Sequence, residues 1–381
     1  MSRVLLNASP LVIGGAIQAC VAFIRQSMQS DDGIHWSYAV SKEIADELAR
    51  FDINISTYNA IIVSPSPARS KASREALISF TNAEKPDVVF TFFGPAYVKF
   101  SQPHLMGVAN GWVTHSSKIA FNTKSTMEKL RFIFSFFIRR YWYKQADRWV
   151  VEAACAKKGM EKRFSIESDR IAIAPNNCSD IYAQNQSRIP DKIGTKIRLL
   201  TLSAYYPHKN LEIIPRVAYE LQKKAPHLVF EFVLTIKAGK ELEKIMDEAH
   251  RYGVTQSINN RGPVSVIDGP ALYANTDIVF MPSLLETFSA VYPEAMASGC
   301  PIVTTDLHFA RDICGDAALY YAPLDPASAA AKILEVVNTP GLFSSLVEYG
   351  RKRLEKFPSP EQKYQLYLQE IKTVQAKGKK V

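Results

Sequence analysis

The sequence is short of cysteine, short of acid and without a long apolar run. Its five cysteines, Cys20, Cys155, Cys178, Cys300 and Cys314, are odd in number, scattered and free of any Cys-x-x-Cys pair. That excludes a disulfide framework and a thiolate zinc site, and leaves reduced thiols of the kind a cytoplasmic protein carries. No stretch reaches the roughly 18 to 20 apolar residues a membrane span needs, so the chain is expected to be soluble or surface-bound. The opening MSRVLLNASPLVIGGAIQACVAF is apolar, but Asn7, Ser9, Pro10 and a glycine pair interrupt it and no basic segment precedes it. It reads as a first strand and glycine turn, not a leader peptide. No Asp-x-Asp motif stands where it would hold a divalent cation, so neither a metal nor a cofactor is expected.

What is present is a globular composition, with 47% hydrophobic and 22% charged residues over 381 positions. That length is comfortable for two domains. Against 37 acidic residues stand 46 basic ones, a net charge of +9, which favours anionic partners: nucleic acid, an acidic membrane face or phosphorylated substrates.

Apolar strands and amphipathic helices alternate along the chain, the pattern of parallel sheets. Val4–Leu6 with Leu11–Ile13 frame a first strand and its loop, and Gly14-Gly15 opens a helix to about Gln29. A helix over Ser41–Arg50, a strand at Ile53–Ser56 or Ile61–Val63, a helix over Arg69–Asn82 and strands at Val88–Phe92 and Leu105–Ala109 follow. Asp147–Val151, the helix Ala153–Phe164 and Ile171–Ala174 complete a first domain. A polar segment, Asp180–Thr195, reads as the interdomain linker. The second half alternates in the same way from Ile197–Ser203 to the helix Ala327–Asn338.

The chain is organised around Met281–Asp306, MPSLLETFSAVYPEAMASGCPIVTTD. It reads as a strand end, a loop, a helix from Val291 or Tyr292 and a second buried strand. Pro293 suits the first helical turn and Gly299 the C-terminal cap. Glu286 lies in the loop and Glu294 in the first turn, so both border the space above the strand ends where a doubly wound sheet binds ligands. The N–H groups from Phe288 to Val291 point into the same space, a ready anion site. Two acids flanking an anion site suit a phosphorylated polyol. A solvated Glu286 and a Glu294 that merely complements the helix dipole are the alternative.

This segment resembles the E-x7-E signature of family 4 glycosyltransferases, retaining enzymes of the GT-B fold: Pro282-Ser283 before Glu286, Glu294-Ala-Met-Ala, Gly299-Cys-Pro-Ile-Val, then Gly315-Asp316-Ala317-Ala318. The resemblance implies an α/β chain of two facing Rossmann-like doubly wound domains with a C-terminal helix crossing back to the first. It implies an acceptor domain over 1–178, a nucleotide-sugar domain over 196–355 and the returning helix over 356–381, with Leu342–Glu355 and Pro360–Gln375 as terminal helices. By the same resemblance Glu286 meets donor-sugar hydroxyls and Glu294 the ribose. Lys209 takes the diphosphate, the N–H groups of Phe288, Ser289 and Ala290 the sugar and phosphate, and Gly262, Pro263 and Val264 the base. Gly14 and Gly15 resemble the glycine turn that faces acceptor and donor phosphate, and His115 the histidine presented toward the donor sugar, with His104 as its competitor. Pro175-Asn176-Asn177 matches the family's Pro-Asn-Gly turn, Asn177 standing for the glycine in a left-handed conformation. The family's phosphate-binding arginine is replaced by Ala204, with His208, a nearby N–H cluster or another cation as substitutes.

Residues 118–149 combine Phe132, Phe134, Phe136, Phe137, Tyr141, Trp142 and Tyr143 with Lys124, Lys129, Arg131, Arg139, Arg140, Lys144 and Arg148. So aromatic and basic a helix suits an anionic bilayer surface; a core helix flanked by solvated charge is the alternative. No nucleic-acid motif accompanies it. The expected activity is transfer of a sugar from a nucleotide sugar to a glycan or lipid-linked acceptor in bacterial lipopolysaccharide, O-antigen, capsule or exopolysaccharide assembly. It would be metal-independent, on the cytoplasmic face of the inner membrane. A non-catalytic sugar- or nucleic-acid-binding protein of the same fold, or another GT-B enzyme such as an epimerase, stands as the alternative.

Overall fold

The computed structural model describes residues 2–178, 180–183, 196–265 and 267–378. Of the expected linker only the short helix Asp180–Ala183 falls within them. The chain forms two compact units. One holds Met1–His115, Met127–Pro175 and Pro360–Val381; the other holds Ser116–Thr126 and Asn176–Ser359.

The first unit is built on β1 (Ser2–Ala8), β2 (Ile34–Ser41), β3 (Ala60–Val63), β4 (Val88–Thr91), β5 (His104–Val108), β6 (Arg148–Val151) and β7 (Ile171–Ile173). The order is β3-β2-β1-β4-β5-β6-β7, every pairing being parallel. Strands such as Val88–Thr91 are buried along their whole length, as expected of a parallel sheet covered on both faces. The last helix, Pro360–Gly378, lies on this sheet and buries Tyr364, Tyr367, Leu368, Ile371 and Val374. These meet Phe23, Phe90 and Phe92, with Tyr364 and Tyr367 ring centroids 5.1–5.7 Å from those phenylalanines. Arg148 and Glu370 add a nearly buried ion pair at 2.8 Å.

The second unit contains β8 (Lys196–Thr201), β9 (Val229–Leu234), β10 (Ile258–Asn260), β11 (Ile278–Met281), β12 (Ile302–Thr305) and β13 (Ala318–Tyr321). They run parallel in the order β10-β9-β8-β11-β12-β13. Both sheets therefore reverse strand order once, between β1 and β4 and between β8 and β11. Such a switch point opens a crevice at the carboxyl ends of the strands.

At four points the structure adds to, decides between or corrects the expectations. The sequence reading passed over β2, although Ile34–Ser41 follows a left-handed Gly33 (φ 70°) and buries six consecutive residues. Of the two candidates for the third strand, Ile55–Thr57 is a single 3-10 turn and the strand is Ala60–Val63. Of the two terminal helices, Leu342–Leu354 counts with the second unit and packs on Val291–Ala297, whereas Pro360–Gly378 counts with the first. Asn177 is not among the residues of positive φ. The asparagine that takes the left-handed conformation is Asn210, at φ 54°.

Candidate functional site

At the switch point of the second sheet, the loops leaving β8 and β11 are fastened to each other. Leu284 N–H donates to the His208 carbonyl at 2.7 Å, and Asn210 Nδ2 donates to the Pro282 carbonyl at 3.3 Å. Buried hydroxyls fix the strand ends beneath. Thr201 Oγ1 donates to Phe280 O at 2.8 Å, Thr304 Oγ1 to Met281 O at 2.9 Å and Thr305 Oγ1 to Ser283 O at 2.7 Å. A backbone held this way presents side chains in one geometry, because each buried carbonyl already has its donor.

Lys209 and Glu286 meet there. Lys209 closes the short turn Pro207–Lys209, and its Nζ lies 2.5 Å from Glu286 Oε1, with both side chains largely buried. The two residues assigned to phosphate and sugar thus hold each other. His208 stacks on Tyr206, centroids 5.6 Å apart. Burial pushes its pKa down to about 4, with Lys209 and Lys124 adding to the fall and Glu286 opposing it. The ring is neutral near pH 7 and offers a hydrogen bond but no charge. Lys124, from the Ser116–Thr126 segment that belongs to this unit, was read from the sequence as one of the cations of residues 118–149 and not as a charge acting on His208. Nothing in its local pattern separates it from other surface lysines.

Glu294 occupies the first turn of Val291–Ala297. The Tyr273 hydroxyl donates to its Oε2 at 2.9 Å. Burial raises its pKa to about 7, the tyrosine hydrogen bond only partly opposing this. Tyr273 is itself packed edge-on against Tyr182 at 5.5 Å. These two tyrosines were missed, since a tyrosine in a short apolar segment carries no sequence sign of its partner. Gly299 caps the helix with φ 69°, Cys300 N–H reaching Ala295 O at 2.9 Å. Between the two acids, Phe288, Ser289 and Ala290 form the turn into the helix; Phe288 and Ser289 are buried. Among the described residues the backbone N–H groups of Phe288 to Val291 have no protein acceptor. Beyond β10, Gly262 takes φ 75° with Pro263 exposed and Val264 half-buried.

In the first unit, Gly14 (φ 79°) and Gly15 start the helix Gly15–Gln29 in the exposed loop after β1. The positive φ explains a glycine at 14. His115 ends the short helix Gly111–Thr114. Its Nδ1 is 2.8 Å from Thr114 Oγ1, which itself donates to Asn110 O, so the network places the hydrogen on Nδ1. Nε2 lies 3.9 Å from Cys155 Sγ. His104 is buried at β5, its Nε2 2.8 Å from Thr91 Oγ1 and its Nδ1 3.2 Å from Gln145 O. Burial pushes it down to about 4, so it is a neutral core residue.

Residues 183–353 match the family described as glycosyl transferases group 1. D-inositol 3-phosphate glycosyltransferase of Salinispora arenicola is 28% identical over 159 residues, 40% of this chain and 36% of that protein. O-antigen chain mannosyltransferase RfbU of Salmonella typhimurium is 20% identical over 213 residues, 56% of this chain and 57% of that protein. The chain therefore spans about half or less of the curated relatives it matches. Anabaena HepE, solved in complex with UDP, superposes with a TM-score of 0.70 at 13% identity, over 98% of this chain and all of that one. The fold is GT-B.

Proposed function

We propose that this chain, whose residues 183–353 form a glycosyl transferases group 1 domain, transfers a sugar from a nucleotide sugar to a glycan or lipid-linked acceptor, as a family 4 enzyme. The observation that carries the reading is the pairing of Lys209 with Glu286 at the switch point, in the loop that leads through Phe288 to Val291 into the helix carrying Glu294. HepE's complex with UDP and the mannosyltransferase name of RfbU support a nucleotide-sugar donor and a surface polysaccharide product.

In the proposed reaction the bond from the sugar's anomeric carbon to the diphosphate oxygen breaks. The acceptor oxygen bonds to that carbon on the same face, and its proton passes to the leaving diphosphate. The negative charge that develops there is met by Lys209 and the N–H groups, with no metal called for. Glu286 orients the sugar through its hydroxyls, Glu294 accepts from the ribose, and Gly262, Pro263 and Val264 border the base. In the first unit, His115 and Gly14-Gly15 are the residues that the family resemblance assigns to the donor sugar and to phosphate and acceptor. With a net charge of +9 and no helix among the described residues long and apolar enough to cross a membrane, we place the enzyme peripherally at the cytoplasmic face of the inner membrane. A non-catalytic binding protein is the second reading, favoured by Ala204 and by a His208 that burial keeps neutral.

The test is thermal stabilisation by a panel of nucleoside diphosphates and nucleotide sugars, with Glu294→Ala alongside, followed by donor hydrolysis in EDTA. One base is expected to raise Tm in the wild type only, and hydrolysis to survive chelation. A shift without hydrolysis would favour the binding protein. No shift for any nucleotide would remove the donor site.

A further inference from the structure

The helix Thr126–Tyr143 faces the wrong way for a core element. At about 100° per residue, Met127, Leu130, Ile133, Phe134, Phe137 and Tyr141 fall within an arc of about 120°. All six are exposed, Phe134 by 72% and Phe137 by 62%. The opposite side holds the helix to its unit. Phe132 packs on Trp112 at 5.7 Å and Phe136 on Phe164 at 6.2 Å. The Tyr143 hydroxyl donates to the Gly94 carbonyl at 2.8 Å. The usual arrangement is inverted, with the apolar stripe outward, and a stripe of this extent marks an interaction surface.

Charge decides what covers it. On the helical wheel Arg131 lies about 40° beyond one edge of the stripe, and Lys144, one residue past the helix, falls within its arc beside Ile133 and Phe137; both cations are exposed. Arg139 and Arg140 are turned toward the protein, where Arg140 Nε donates to the Arg163 carbonyl at 3.0 Å. Glu128 is the one acidic residue in the helix. A second copy of this chain would bring the same cations together, at a cost. A bilayer of anionic phospholipid instead takes the aromatic and aliphatic side chains at its headgroup boundary and the cations on its phosphates.

We propose that the outward face of Thr126–Tyr143 docks on an anionic phospholipid surface, with Leu130, Phe134, Phe137 and Tyr141 inserted and Arg131 and Lys144 on lipid phosphates. The docking stands on this surface alone; only its link to a lipid-linked acceptor rests on the glycosyl-transfer reading. Flotation of the full chain with phosphatidylcholine vesicles, with and without phosphatidylglycerol, tests it. The wild type is expected to float with the anionic vesicles only, less so at high salt. Arg131→Glu/Lys144→Glu and Phe134→Ser/Phe137→Ser are each expected to lower partition at least tenfold, while their Tm and their donor hydrolysis match the wild type. Equal partition of wild type and variants would overturn docking by this face, as would a wild-type dimer that Phe134→Ser/Phe137→Ser makes monomeric. Failure of flotation with donor hydrolysis intact sinks the docking alone; flotation without hydrolysis sinks the enzymatic reading alone.

Discussion

Glu294 sits in surroundings that favour its proton, and this gives the site a dependence on pH. Between an ordinary glutamate's 4.5 and about 7, the folded chain keeps a proton that the unfolded chain has released, so stability falls as pH rises through that window. Glu294→Gln keeps the shape and removes the slope. It should match the wild type near pH 5 and exceed it near pH 8 by on the order of 2 kcal/mol in urea unfolding. A hydroxyl donates more strongly to a carboxylate than to a neutral carboxyl, so with Glu294 as the proposed ribose acceptor nucleotide binding to the wild type should weaken as pH falls below about 7; calorimetry across pH reads this. At the paired cation, Lys209→Ala should lower kcat/KM about 10²- to 10³-fold through loss of leaving-group stabilisation. Lys124→Ala is expected to lower it about tenfold, which would identify the cation that stands in for the side chain absent at Ala204. The roles given to the two acids and to Lys209 came only with the family resemblance; the loop, helix and strand around the acids were legible in local signals. Tyr273, Tyr182 and Lys124 were not, because their partners lie dozens of residues away and only folding brings them near.

Among the elements, the last helix shows how two similar residues can do opposite things. The Tyr364 hydroxyl donates to Asp32, whereas the buried Tyr367 hydroxyl has no protein partner among the described residues. Tyr364→Phe should therefore cost about 1 kcal/mol, and Tyr367→Phe should be neutral or stabilising by a similar amount, both read as denaturation midpoints. Phe23, which touches both tyrosines together with Trp36, Phe90 and Phe92, should cost about 3–5 kcal/mol as Phe23→Ala. The helices Ala154–Phe164 and Pro326–Asn338 lie within a residue or two of where the sequence put them. Ile34–Ser41 does alternate, Ile34, Trp36, Tyr38 and Val40 against His35, Ser37, Ala39 and Ser41, so its signal was present and was passed over. The outward stripe of Thr126–Tyr143 has the same period as a core stripe, so periodicity alone left both of its readings open.

At the scale of the whole molecule, two doubly wound sheets could be anticipated from alternation, and the carboxyl ends of β8 and β11 from the motif between them. The passage of the chain from one unit to the other could not, since it is made by packing. Ser116–Thr126 looks like part of the first half yet counts with the second unit, and Leu342–Leu354 looks like part of the tail yet stays there. The return of Pro360–Gly378 carries a consequence in time. A ribosome completes β1 to β7 and then makes the 184 residues from 176 to 359 (359 − 175) before the helix that covers Phe90 and Phe92 exists. At about 5–20 residues per second that is a wait of roughly 10–40 s. The unit begun first is finished last, and during that interval its aromatic face is the part of the nascent chain most in need of a chaperone.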